Sequence, residues 1–144
     1  MSKRRFLVIG LGRFGSAVAT GLAGAGCEVV AVDRLMEYVE PVKDRVAYAI
    51  QLDATDSTAL RSIDARSCEA AVIAMGGDFE ASVMSVLALK DAGVLRVIAR
   101  ARDARQARVL RAAGANEVIE VESEVGRELS KRLSQVSQTP PAAS

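Results

Sequence analysis

The chain has 144 residues, half of them apolar, with nineteen basic and eighteen acidic side chains and a net charge of +1. That length allows one domain with a packed core rather than two full ones, and the balanced charge provides no global field to recruit nucleic acid or an anionic membrane. No apolar run approaches the roughly 18 residues a membrane helix needs, and "MSKRRF" lacks the apolar middle of a signal peptide, so a cytoplasmic protein with no direct membrane insertion is expected.

The first element lies in "RFLVIGLGRFG", residues 5–15. Phe6 to Ile9 form a short run suited to a strand buried on both faces, and residues 13–25 can continue as a helix. This strand, turn, helix order turns a weak glycine match into a nucleotide-binding signature. Gly10 allows the tight turn, Gly12 lets the backbone approach a pyrophosphate, and Gly15 lets the helix pack closely on the strand. Free amides at the helix start then face the anion. Arg13 occupies a variable position of the motif, where an arginine can reach a phosphate in its own subunit or in a neighbour.

After Gly26, read as a helix stop, "EVVAVD" is a second strand ending at Asp33, 23 positions after Gly10. An acid roughly 20 residues beyond the turn meets a ribose hydroxyl. Its charge would repel a 2′-phosphate, which argues against NADP although Arg34 adjoins it. Further strands are read at 46–50, 70–74, 96–99 and 117–120, and helices at about 36–44, 56–63, 78–92, 103–113 and 122–136. Asp56, Asp78 and Asp103 stand where they can cap exposed amides, while Gly93 and Gly114 supply stops. Short strands alternating with helices predict an α/β fold: a Rossmann-like, doubly wound parallel six-stranded sheet in the order 3-2-1-4-5-6. Residues 1–136 form this nucleotide-binding domain, and 137–144, small, polar and proline-containing, are read as a flexible tail or linker stub.

In that topology the ligand crevice lies at the carboxyl ends of the strands. Three further loops therefore bear on function: "QLDATD", "MGGD" and "RARD". Asp53 and Thr55 offer a carboxylate and a hydroxyl beside the adenine end, and Arg100, at a strand end, points toward the crevice. Arg105, Arg108 and Arg111 share one helix face; with no interleaved aromatics, a solvated or subunit-contact face is favoured over nucleic acid. Apolar residues such as Phe79, Met84 and Leu87 extend beyond one core face of helix 78–92 and predict a dimer or larger assembly. Cys27 and Cys68 have neither metal-ligand nor redox-pair spacing, and without histidine a zinc site has almost no ligands.

A rival reading is an NAD-dependent oxidoreductase or its isolated cofactor-binding domain. That chemistry needs a substrate region and an acid or base beside the nicotinamide. None of the four lysines falls in a predicted crevice loop. A non-enzymatic module with a conformational output is therefore preferred.

Taken together, "GLGRFG", "VVAVD", "DATD", "AMGGDFEASVMSVLALKDAGV" followed by "VIARA", and "GANEVIEVESEVGREL" resemble the regulator-of-potassium-conductance (RCK, TrkA-N type) domain of Ktr and Trk potassium-uptake regulatory subunits. The resemblance spans nearly the whole folded part. It implies a Rossmann fold that binds ATP, ADP or NAD(H), assembles as dimers within rings, and gates a separate membrane-embedded potassium-translocating subunit from its cytoplasmic side. Carried onto this sequence, it assigns Gly10, Gly12, Arg13 and Gly15 to the phosphates, Asp33 to the ribose, and Asp53, Ala54 and Thr55 to the neighbourhood of adenine; Phe14 and Arg34 are counted with the same cofactor site. Met75 and Gly76 would close over the nucleotide beside Arg100. Glu122 matches a glutamate that helps hold a divalent cation at the dimer contact in some members. Two positions depart from the pattern: Leu52 stands where glycine is common before the "DAT" acid, and Val121 replaces the usual proline before the late glutamate. Most members continue into a second, smaller ligand-binding domain, so an excised domain or a short form is expected.

Overall fold

Strand β1 (Arg5–Ile9) lies at the centre of a six-stranded, wholly parallel sheet, and its alternating side chains feed two separate cores. The computed structural model describes residues 3–135; the expected tail at 137–144 lies outside them. The chain continues through α1 (Arg13–Gly24), β2 (Glu28–Asp33), α2 (Met36–Val39), β3 (Tyr48–Gln51), α3 (Ser57–Ser62) and β4 (Ala70–Ile73). It then forms α4 (Phe79–Asp91), β5 (Val97–Ala101), α5 (Ala104–Ala113), β6 (Glu117–Glu120) and α6 (Val121–Gln135). The strand order is β3-β2-β1-β4-β5-β6, as the alternation of elements predicts. Between β1 and β4 the connection changes direction across the sheet, and there the carboxyl ends of the strands open a crevice.

Leu7 and Ile9 of β1 face the core that holds Leu60 of α3, Val86 and Leu89 of α4, and Leu110 of α5. Val8 faces the other side, where Ala19 of α1 and Val39 of α2 cover it together with Val29 and Ala31 of β2. Because both faces are covered, the central strands carry continuous apolar runs instead of alternating ones. Asp56, Asp78 and Asp103 cap α3, α4 and α5, accepting from Thr58, Ala81 and Gln106 amides at 2.9, 3.0 and 2.9 Å. Gly26, expected to stop α1, has φ +92°, a left-handed geometry that favours glycine.

Two expected boundaries differ. The helix read over 36–44 is a single turn, Met36–Val39, followed by a 3-10 turn, Glu40–Val42; Pro41 has no amide to continue the α-helical ladder. The strand read over 46–50 pairs only from Tyr48, opposite Val30, to Gln51, opposite Asp33. Its start is delayed because the preceding turn persists, with the Arg45 amide donating to the Val42 carbonyl at 2.9 Å.

Candidate nucleotide-binding site

A crevice of about 480 Å³ opens where β1, β2, β3, β4 and β5 end, within the range of small-molecule sites. Its floor is the glycine turn. The Gly10 amide donates to the Val32 carbonyl at 2.9 Å, tying the turn to β2. Gly10 has φ +92°, and a β-carbon there would lie 2.7 Å from Met75 Cγ and 2.9 Å from the Met75 amide nitrogen. Gly15 is equally constrained, since a β-carbon would stand 1.6 Å from the Gly10 carbonyl oxygen. Gly12 differs: nothing lies within 4 Å of its absent β-carbon, and it is exposed. Two glycines thus allow backbone to pack on backbone, while the third leaves open space at the crevice.

Helix α1 starts at that open glycine, and unlike α3, α4 and α5 it has no side-chain cap; its first turn carries no acid. Its first amides and the positive end of its dipole therefore have no side-chain partner of their own, the arrangement that suits an anion.

Asp33 closes the β2 end of the crevice. Its Oδ2 accepts from the Leu11 amide at 2.8 Å and its Oδ1 from the Leu35 amide at 2.9 Å. Each carboxylate oxygen retains acceptor capacity for a ribose hydroxyl. The residue therefore also organises the glycine turn, a duty that spacing alone does not reveal. Arg34 lines the crevice beside it.

The β3 end contributes Leu52, Asp53, Ala54 and Thr55. Asp53 Oδ1 accepts from the Thr55 hydroxyl at 2.6 Å and the Thr55 amide at 3.0 Å, folding 53–55 into a tight turn. The Thr55 hydroxyl, then its amide, hold the Asp53 carboxyl below the usual carboxylate range, with Arg34 adding to the effect.

On the opposite wall, Met75 and Gly76 follow β4. A Gly76 β-carbon would be 3.3 Å from the Arg100 guanidinium, which lies 5.3 Å from the centroid of the Phe14 ring and donates to Glu122 Oε1 at 3.1 Å. Arg100 is thus clamped between an aromatic ring, a glycine and the first turn of α6. The Glu122 carboxyl is lowered by its own backbone amide and then by Arg100.

Of the residues expected from the sequence, Gly10, Gly12, Asp33, Arg34, Asp53, Ala54, Thr55, Met75, Gly76 and Arg100 come together around this crevice. Gly15 supports it from behind, and Phe14 reaches it only through Arg100. Arg13 is exposed and is absent from the lining. Glu122 lines a small neighbouring cavity with Arg100 and Gln106, and among the described residues no group of three or more His, Cys, Asp or Glu side chains is placed to hold a metal ion. Sequence reasoning did not find Leu35, Tyr38 or Ser85, which also line the crevice. Tyr38 sits in a segment read only as helix, and Leu35 stands just before it. Ser85 lies in α4, where the sequence singled out only apolar residues.

Comparison with known proteins agrees with this architecture. The Ktr system potassium uptake protein A of Vibrio alginolyticus is 35% identical over 130 residues, covering 90% of this chain and 59% of that protein. The chain spans about three-fifths of the length of the curated relatives it matches. Among solved structures, the NAD(P)-binding domain of an exopolyphosphatase-related protein from Archaeoglobus fulgidus superimposes with a TM-score of 0.82 at 28% identity, covering 92% of this chain and 99% of that one. The ADP-bound GsuK structure gives 0.72 at 26% identity, covering 92% of this chain and 34% of that one. The TrkA-N domain pattern matches residues 6–121, from the first strand to the start of α6, and the chain belongs to the TrkA-N domain family.

Proposed function

We propose that the chain is the nucleotide-binding regulatory module of a potassium channel or transporter, taking ATP, ADP or NAD(H) in the strand-end crevice. The observation that carries this reading is the uncapped start of α1 beside the open face of Gly12, flanked by the Asp33 carboxylate. Together they offer amides for phosphates and an acceptor for ribose within one crevice. The Ktr relative supports the link to potassium uptake, and the ADP-bound and NAD(P)-binding structures support the ligand class.

In this reading the module works as a dimer or larger ring against a membrane-embedded potassium-translocating subunit. Among the described residues no helix is long and apolar enough to cross a membrane. A ligand shifts a conformational equilibrium only through differential affinity for its states. ATP and ADP differ at the terminal phosphate, so the group that tells them apart has to meet that end. Arg13, exposed at the start of α1 and outside the lining, fits a phosphate held by a neighbouring subunit. Glu122, once released from Arg100, would be available to a divalent cation at the same contact.

Native mass spectrometry of the purified protein tests the ligand class. An adenine nucleotide retained at one per chain is expected; protein that neither retains nor takes up ATP, ADP or NADH would overturn the proposal.

A further inference from the structure

Ser85 is fully buried in α4, and its Oγ has no hydrogen-bond partner. A buried hydroxyl without a partner is rare, because it gives up its hydrogen bonds to water and gets none in return. A serine within a helix commonly donates to the carbonyl one turn back. Ser82 does so, reaching the Asp78 carbonyl at 3.3 Å, but Ser85 does not.

The phase of α4 shows where Ser85 faces. Phe79 and Ser82 line the small cavity toward α5, with Arg102 and Gln106. Ala81 and Ser85, one turn apart, line the large crevice instead, together with Ala54 and Thr55. The side chains of Leu52, Ala54 and Ala81 along this part of the wall are apolar and offer the hydroxyl nothing. In the empty crevice the hydroxyl is left without a partner.

Resting on the nucleotide-binding reading, we propose that Ser85 is a base-recognising residue, its hydroxyl bonding a ring nitrogen of a bound purine. With phosphates at the α1 start and ribose at Asp33, the base is left to the wall made by 52–55 and α4. A serine hydroxyl both donates and accepts, and a turn about its single side-chain torsion swings the Oγ, closed off in the empty protein, toward the back of the crevice, where it can meet a purine nitrogen. A pyrimidine, one ring shorter, leaves it unpaired. The hydroxyl then contributes to ligand selection and nothing to the stability of the empty protein.

The test is Ser85→Ala, with calorimetric titrations of ADP and UDP and thermal unfolding without ligand. ADP affinity should fall about five- to tenfold while UDP affinity stays as it was, so the preference for ADP shrinks; the unliganded variant should unfold at the same or a higher temperature. Ser85→Cys, close in volume but a weak donor, should behave like Ser85→Ala. Two results would overturn the proposal: an unchanged ADP to UDP ratio, whether both affinities hold or both fall alike, or a lower unfolding temperature, which would mark a structural bond. Wild-type protein that binds no nucleotide would overturn the underlying reading as well, whereas wild-type binding with an unchanged ratio in the variant overturns only the role of Ser85.

Discussion

Asp33 and Leu11 are joined across the mouth of the crevice, the Leu11 amide donating to Asp33 Oδ2 at 2.8 Å. The acid at the end of β2 therefore holds the glycine turn, and in the proposed reading it also accepts from the ribose. Asp33→Ala should weaken ATP, ADP and NADH together and also destabilise the empty protein, by about 1–3 kcal/mol for amides left without an acceptor. Denaturant unfolding beside calorimetry separates the two effects. A loss of affinity at unchanged stability would show that the Leu11 bond contributes nothing.

Gly15 and Gly12 make opposite predictions although they belong to one motif. Gly15→Ala places a β-carbon 1.6 Å from the Gly10 carbonyl oxygen, a backbone atom that cannot step aside. Loss of more than about 3 kcal/mol of stability is expected. Gly12→Ala meets no neighbour, so its stability cost should stay under about 1 kcal/mol, while nucleotide affinity falls because the methyl occupies the approach of the phosphates. Equal stability losses in the two variants would contradict this division of roles.

Much of this was legible in the sequence because the signals are local. The runs at 6–9, 29–32 and 70–74 are short and apolar throughout, which marks strands covered on both faces, and the glycine spacing fixes where β1 turns into α1. What escaped depends on three-dimensional phase. The place of Ser85 depends on the rotation of α4, which separates the 81/85 face from the 79/82 face. Tyr38 lines the crevice from the single helical turn Met36–Val39. Phe79, expected on an assembly surface, packs partly buried against the core, while Met84 and Leu87 are exposed as expected.

Asp53 gives a pH prediction. The Thr55 hydroxyl, then the Thr55 amide, hold its carboxyl below the ordinary value of 3.8. A depressed carboxyl pKa means that the 53–55 turn contributes stability above the unfolded value, and that this is lost as pH falls through the folded one. Thr55→Val removes the larger cause. The Asp53 midpoint followed by NMR should move up toward 3.8; an unmoved midpoint would place the cause elsewhere.

Helix α6 predicts self-association. Val125, Leu129 and Leu133 recur every four residues and are 60%, 47% and 65% exposed, and no described residue of α6 is buried. Sedimentation at micromolar concentration with nucleotide present should show a dimer or larger species, and Leu129→Glu should shift it toward monomer. In the assembled state Arg13→Ala should lower ATP affinity more than ADP affinity, by about tenfold or more for a lost charged hydrogen bond. An unchanged ratio with normal assembly would remove Arg13 from phosphate discrimination.

The most direct test of the central claim is an NMR titration of ADP into the isotope-labelled protein, reading backbone amides. An anion held at the uncapped start of α1, with ribose at Asp33, should move the Gly12 and Arg13 amides most, followed by those of 33–35 and 54–55. Crevice amides that stay in place at high ADP, ATP and NADH, or shifts confined to α6, would contradict the account.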